Sequence, residues 1–354
     1  MRRWSPGLSS DPRAPSEFAG IGHPCSARPL ARSALFLAVN SRVPAPNLTL
    51  CLDAMRTRFE LVLSGASEST LRDAGELALR EIADAEARLS LFRPDSLLSH
   101  INRSALHEPV RLDGPTFALL RTCREVWQLS GNAFDPTVAP LMTALGLHQS
   151  AALPASACTT GFQYVELDEP AHTVRFLAPI AIDLGAIAKG HALDLAGDIL
   201  RESGIACALL HAGTSSVLTI GAPPGADAWR IALGGRAAGS GMIAAVGSHA
   251  PGVPPEGMLA QSSKHLPPHP KGVRILQLRD NALGVSAHHG RHADHDRSIT
   301  HILDPRTGQP VHATSAMAAV VAPTAAVADA WSTACLVAGH RPVAMPPDLL
   351  LTLL

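Results

Sequence analysis

The run Asp183-Leu184-Gly185-Ala186-Ile187-Ala188-Lys189-Gly190 joins the end of an apolar stretch to the start of a helical pattern. Free N–H groups at a helix start, with the helix dipole behind them, favour a phosphate. Gly185 lets the backbone approach closely, and Lys189, one of only three lysines, adds a point charge. The spacing matches neither the P-loop nor the dinucleotide fingerprint, so by itself the run reads equally as a tight strand-to-helix turn. Asp329 and Thr333 stand four residues apart in the last helical pattern, which sends their oxygens from one face. With a backbone carbonyl from another segment they would form a hard, oxygen-only site suited to Mg²⁺ bridging phosphates; alone, Asp329 also reads as a surface acid. Asp135 precedes Pro136, which restricts it to extended backbone. A carboxylate fixed in this way could accept hydrogen bonds from a heterocycle, or simply build an Asp-Pro turn. His301 ends a strand-like stretch ahead of Asp304-Pro305-Arg306-Thr307-Gly308, where an imidazole could serve as a general base or as a structural residue.

Those residues need elements to carry them. Alternation predicts a strand over 59–63, and helical spacing predicts a helix over 69–89 behind a Ser69 cap. A second helix is expected over 116–129, closed by Gly131-Asn132, which tolerate positive φ. Strands follow at 164–167, 173–176 and 180–184, then a helix over 187–203 and buried strands at 206–210 and 217–220. Ordered pattern returns at 273–278, and the last helix is expected over 324–338, between Pro323 and Gly339. Mixed strands and helices in this order indicate an α/β or α+β domain. Residues 1–52 carry seven prolines without periodicity and are expected to form a disordered extension. The remainder, 53–354, reads as one domain with a Gly/Pro/His-rich insertion at about 234–272.

Composition narrows the function. The 354 residues are 46% hydrophobic, enough to bury a substantial core. Twenty-nine basic residues against 30 acidic ones give a net charge of −1, so no overall field attracts nucleic acid or an anionic membrane. With 4% aromatics and one tyrosine, Tyr164, a stacking platform for single strands is excluded. No apolar run approaches the roughly 20 residues that span a bilayer. The six cysteines show no CxxC or zinc-like spacing. Arg2-Arg3 and the short apolar patch at 34–39 do not make a signal peptide, and Leu48-Thr49-Leu50-Cys51 fits a lipobox only loosely. The chain as written reads as cytoplasmic, with the compartment left open.

Taken in order, several segments resemble the ApbE-type FAD:protein FMN transferases. They are Met55-Arg56-Thr57, Phe92-Arg93-Pro94-Asp95-Ser96 with Asn102, Phe134-Asp135-Pro136-Thr137-Val138, Asp183 to Gly190, His301 to Gly308, and Ala328-Asp329-Ala330 with Thr333. The resemblance implies an α+β fold of mixed sheets packed with helices. It also implies Mg²⁺-dependent transfer of FMN from FAD to a Thr or Ser hydroxyl of an acceptor protein, with release of AMP. Asp329, Thr333 and the carbonyl of Ala186 then match the metal ligands. Met55, Phe92, Ala133, Phe134, Asp135, Asp183 and Lys189 match FAD-contacting positions, Phe92 standing where many members have tyrosine. His301 matches a histidine proposed to assist removal of the hydroxyl proton. An FAD pyrophosphatase yielding FMN and AMP, or a non-catalytic FAD-binding protein, are the rival readings.

The chain also departs from the family pattern. Ala212-Gly213-Thr214-Ser215-Ser216 replaces a paired-glycine stretch ending in an acidic residue, and Ser286-Ala287 replaces a common Ser-Gly. A histidine-rich piece, His288, His289, His292 and His295 with Asp294 and Asp296, reads as a solvated loop or a transition-metal site. Met345-Pro346-Pro347 cannot continue a helix, so the usual closing strand is expected to be missing or replaced.

Overall fold

The computed structural model describes residues 47–147, 153, 154, 156–234, 243–245, 273–288, 292, 293, 296–300, 302–311 and 315–354. They form an α+β fold around a seven-stranded sheet whose spatial order is its chain order. The strands are β1 (Leu48–Ala54), β2 (Thr57–Ser64), β3 (Cys207–Ala212), β4 (Ser216–Ile220), β5 (Ala282–Ala287), β6 (Met317–Ala322) and β7 (Leu350–Leu353). Every neighbouring pair is antiparallel. The helices are α1 (Glu68–Leu89), α2 (Leu97–Ser104), α3 (Gly114–Leu129), α4 (Ala139–Ala144), α5 (Ala188–Glu202) and α6 (Ala325–Ala338).

The two faces of the sheet follow from the period of two along each strand. Phe59, Leu61, Leu63, Leu210 and Leu218 point to one face and bury against α1, α5 and α6 in the main core. Val62, Leu209, Val217, Leu283 and Val285 point to the other. There they meet Trp229, Ile231, Leu233 and Leu278 of a second sheet, in which Val273–Leu278 lies beside Trp229–Gly234 and that strand beside Ile243–Ala245. Among the described residues no helix is long and apolar enough to cross a membrane.

Because β2 begins, β3 ends, β4 begins and β5 ends at the same edge of the ladder, their turns gather at one end of the sheet. The β1–β2 turn, Met55-Arg56, and the β3–β4 turn around Gly213 therefore sit together, and Gly213 donates its N–H to the Arg58 carbonyl at 2.8 Å. A Cβ on Gly213 would stand 2.2 Å from the Thr57 hydroxyl, and its φ of +58° is left-handed, so glycine is required here.

The strands over 173–176 and 273–278 match their expected bounds. Four expectations are corrected. β1 lies largely inside 1–52, so ordered structure starts before residue 53; residues 1–46 lie outside the described ones. Ser67, not Ser69, caps α1, its hydroxyl accepting from the Thr70 N–H at 3.2 Å. Residues 180–184, all but Asp183 buried, join no sheet, because the Asn102 side chain substitutes for a strand. Asn102 Nδ2 donates to the Ile182 carbonyl at 2.9 Å, and Oδ1 accepts the Ile182 N–H at 2.8 Å. The closing strand is present: the Arg341 guanidinium donates to the carbonyls of Leu349 at 2.8 Å and Pro346 at 2.5 Å, turning the proline-rich tail back so that β7 pairs with β6.

His191 on α5 is buried against the core, and burial, followed by the nearby positive charge of Arg88, pushes its pKa down to about 4. The unfolded chain protonates this group near 6.5, so stability is full above that value and is lost as pH falls from 6.5 towards 4. Thermal melts should show His191→Leu to be less sensitive than the parent across this window, by up to about 3 kcal/mol at full protonation. Parallel pH curves for the two proteins would contradict this origin.

Candidate active site

The site is built where α5 and α6 begin. Gly190 is the third residue of α5, and a Cβ there would lie 2.2 Å from the carbonyl oxygen of Ala325, so only glycine lets the two helix starts meet. Gly284 on β5 plays the same part against the Ala328 backbone, with a hypothetical Cβ at 2.3 Å. Each helix then supplies a carboxylate to the first turn of the other. Asp194 of α5 accepts the N–H groups of Ala325 at 2.7 Å and Ala326 at 2.9 Å. Asp329 of α6 accepts the N–H of Gly190 at 2.8 Å on Oδ2. The first-turn N–H groups of a helix lack internal partners, and a carboxylate is the acceptor that its dipole favours.

Asp329 is buried and Asp194 partly buried. Burial pushes Asp194 up to about 7 against the hydrogen bonds from Ala326 and Ala325. Burial likewise raises Asp329 to about 7, opposed by the charge of Lys189, the Ser216 hydroxyl and the Gly190 N–H. Ser216 Oγ lies 2.8 Å from both oxygens of Asp329. Thr333, one helical turn beyond Asp329, has its hydroxyl 3.0 Å from Ser286 Oγ, which also reaches Ser332 Oγ at 2.8 Å.

Diverting the Gly190 N–H to Asp329 has a second effect. In a continuous helix that N–H would meet the carbonyl of Ala186; here the Ala186 oxygen accepts no hydrogen bond among the described residues. A free carbonyl, a buried carboxylate with lone-pair capacity left and a neighbouring hydroxyl make the hard oxygen donor set that Mg²⁺ takes, so Ala186, Asp329 and Thr333 fit that ion. Lys189 Nζ donates to the Gly185 carbonyl at 3.3 Å and supplies the positive charge closest in effect to Asp329.

Two further segments attach to this centre. Asp183 Oδ1 accepts the Gly185 N–H at 2.7 Å, which forms the turn before α5, and the Asp183 N–H donates to the Pro136 carbonyl at 2.7 Å. That bond ties the phosphate-type turn to the 131–138 loop. In that loop Ala133, Phe134 and Asp135 are buried, and Gly131 and Asn132 take positive φ as expected. Asp135 turns both oxygens onto the protein: Oδ1 accepts from the Thr137 N–H at 2.8 Å and its hydroxyl at 2.6 Å, and Oδ2 from the Phe162 N–H at 3.1 Å. Burial raises its pKa and these bonds oppose the rise. The carboxylate thus shapes the loop that carries the buried Ala133 and Phe134.

The β1–β2 turn that carries Met55 lies beside Phe92, through Arg56. Met55 and Arg56 both take left-handed φ, +48° and +60°, an arrangement that two-residue hairpins require but that side chains disfavour. The Met55 N–H donates to Glu86 Oε1 at 2.6 Å, anchoring the turn to α1. The Arg56 guanidinium lies 5.9 Å from the centre of the Phe92 ring, which is half exposed. An exposed ring beside a cation offers a stacking surface for a planar heterocycle.

The structure thus gathers Ala186, Lys189 and Asp329 where α5 and α6 begin, with Thr333 one turn further along α6. It links Asp183 to Asp135 through Pro136 and sets the Met55-Arg56 turn beside Phe92. His301 lies outside the described residues, as do His289 and His295 of the histidine-rich piece. No group of three His, Cys, Asp or Glu side chains able to hold a metal occurs among the described residues. Sequence reasoning missed Asp194, although a carboxylate in the stripe Gly190, Asp194, Gly197, on the small-residue side of α5, was a readable signal. Ser216 was noted only as a departure.

The ApbE family model matches residues 55–345. The FAD:protein FMN transferase of Rhodobacter capsulatus is 28% identical over 87% of this chain and 55% of its own length, so the chain spans about half of that relative. The protein of the same name from Vibrio cholerae is 23% identical, covering 88% of this chain and 87% of that one. Among solved structures, the flavin transferase ApbE from Vibrio cholerae superposes with a TM-score of 0.65 at 22% identity, over 88% of this chain and 94% of that one. The ApbE protein of Thermotoga maritima does so at 0.64 and 24%, over 87% and 94%.

Proposed function

Since the chain belongs to the ApbE family, we propose that it is an FAD:protein FMN transferase, moving FMN from FAD to a threonine or serine hydroxyl of an acceptor protein and releasing AMP. The observation that carries this reading is the junction of α5 and α6. It puts a buried carboxylate, a free carbonyl and a hydroxyl beside a lysine and a glycine-led helix start. The names of the relatives support the reaction, and the geometry supports a pyrophosphate as the group handled there.

Ala186, Asp329 and Thr333 would hold Mg²⁺, which when bound neutralises pyrophosphate charge and makes the phosphoanhydride easier to cleave. Lys189 and the turn at Gly185 hold the phosphates against that centre by charge and close backbone approach. Asp183 fixes the turn, and through Pro136 holds in place the loop that carries Ala133 and Phe134, whose backbone faces one end of the dinucleotide in this reading. Met55 and Phe92 supply apolar and aromatic surface for a ring. The acceptor oxygen forms the new bond to the FMN phosphorus, the bond to the AMP oxygen breaks, and the hydroxyl proton passes to a base.

His301 is the proposed base, on the strength of the resemblance of its segment to the family. His301→Ala is expected to slow transfer by about 10²–10⁴-fold while leaving FAD affinity largely intact. Unchanged transfer across the pH range would remove it from that role.

The function is tested by AMP release from FAD with Mg²⁺, in the presence and absence of a threonine-containing acceptor peptide. Mg²⁺-dependent AMP together with flavin covalently fixed on the peptide is the expected result. AMP accompanied only by free FMN would make the protein a pyrophosphatase, and bound FAD without AMP would make it a binding protein.

A further inference from the structure

We propose that Ser216 sets the cation preference of the site, selecting Mg²⁺ over Ca²⁺ by occupying the seat in which Asp329 would hold a cation with both oxygens. This rests on the Mg²⁺ site assigned above. Ser216 Oγ is 2.8 Å from Oδ1 and 2.8 Å from Oδ2 of Asp329, so the hydroxyl sits in the fork of the carboxylate. A cation bound by both oxygens of one carboxylate has to sit in that same fork. The two occupants exclude each other.

The hydroxyl cannot easily withdraw. Ser216 is fully buried and is the first residue of β4, registered against Ala212 on one side and Gly284 on the other, so the ladder fixes its Cα. Asp329 is equally constrained, because Oδ2 is also held by the Gly190 N–H. What remains open is a single lone-pair direction, chiefly on Oδ1, which suits coordination through one oxygen. Ca²⁺ takes six to eight oxygens in flexible geometry and commonly uses a carboxylate in bidentate fashion, whereas Mg²⁺ demands a compact octahedron and is satisfied by single oxygens and water. A carboxylate with its fork filled therefore penalises Ca²⁺ more than Mg²⁺. The serine stands in the segment where the chain departs from the family pattern, so the preference is a property of this chain's own residues.

The test is calorimetric titration of the full chain with MgCl₂ and with CaCl₂ separately, for the parent, Ser216→Ala and Ser216→Thr, with circular dichroism to verify folding. Alanine removes the hydroxyl at nearly constant volume and should shift the ratio of Ca²⁺ to Mg²⁺ affinity towards Ca²⁺ by about tenfold or more, within the 10–100-fold range typical when a group supporting a metal ligand is lost. Threonine keeps the hydroxyl and should keep the parent ratio. A folded Ser216→Ala protein with the parent ratio overturns the inference while leaving the Mg²⁺ site standing, and so does a folded Ser216→Thr protein that behaves like the alanine variant. A parent that binds neither cation, alone or with FAD, overturns the Mg²⁺ site and the inference with it.

Discussion

Asp329→Ala is expected to lower Mg²⁺-dependent AMP release from FAD on the order of 10³-fold, because a Lewis-acid contribution of several kcal/mol disappears with the one carboxylate in the donor set. The carbonyl of Ala186 and the hydroxyl of Thr333 are neutral and cannot offset the ion's desolvation alone. The same change also removes the acceptor for the Gly190 N–H and the partner of Ser216, so a comparison with Asp329→Asn separates chemistry from architecture. Asparagine can still accept from Gly190 and donate to Ser216 Oγ. It also removes a charge that is unfavourable in the metal-free fold. The folded Asp329 titrates near 7 against 3.8 for its ordinary value, so the metal-free protein loses stability from this group as pH rises from about 4 to 7. Asp329→Asn should therefore be as inactive as the alanine variant yet melt at a higher temperature than the metal-free parent at pH 7.5. Appreciable Mg²⁺-dependent turnover in either variant would sink the ligand assignment.

Gly190→Ala is expected to destabilise the fold by about 2–5 kcal/mol. Alanine favours a helix interior over glycine by about 1 kcal/mol, which on its own would stabilise α5. Against this, the added methyl meets backbone atoms of Ala325 and Ala326, which unlike a side-chain tip cannot rotate away. Such overpacking costs about 1–3 kcal/mol, and separating the helices also weakens the charged hydrogen bond between Gly190 and Asp329, worth about 1.5–3 kcal/mol. The clash and lost bond outweigh the propensity gain. Gly114→Ala is the control, since nothing lies within 4 Å of its Cβ position. Urea denaturation reads both: a Gly190→Ala midpoint equal to that of the parent would show that the helix starts are not locked together.

Elements with strong periodicity were legible in the sequence. α3, α5 and α6 fall within two residues of their expected bounds because each joins an apolar spacing to a cap or a glycine stop. The segment over 180–184 misled because a short apolar run signals burial rather than pairing, and the partner that satisfies its backbone is a side chain about 80 residues away. The tail misled because Pro346 and Pro347 do exclude a helix, whereas the strand beyond them depends on Arg341 gathering carbonyls, which no local pattern announces. In the site, Asp329 and Lys189 were legible from residue type and spacing. The pairing of Asp194 with the first turn of α6 was not, since it joins residues 131 apart. Asp135 shows the opposite limit: its loop stood out in the sequence, but whether its oxygens face a ligand or their own backbone depends on Phe162, which the local sequence does not contain.

The crossed carboxylates between α5 and α6 also bear on how the chain folds. Neither helix start can complete its hydrogen bonding until the other arrives, and the bonds involved span 131 to 139 residues. Contacts of such long sequence separation form only after large loops have closed, so docking of α6 onto α5 belongs late on the folding pathway and as a single event. The region that would handle pyrophosphate is then complete only once both helices are in place. A growing chain would not possess it until residues beyond α6 had been made.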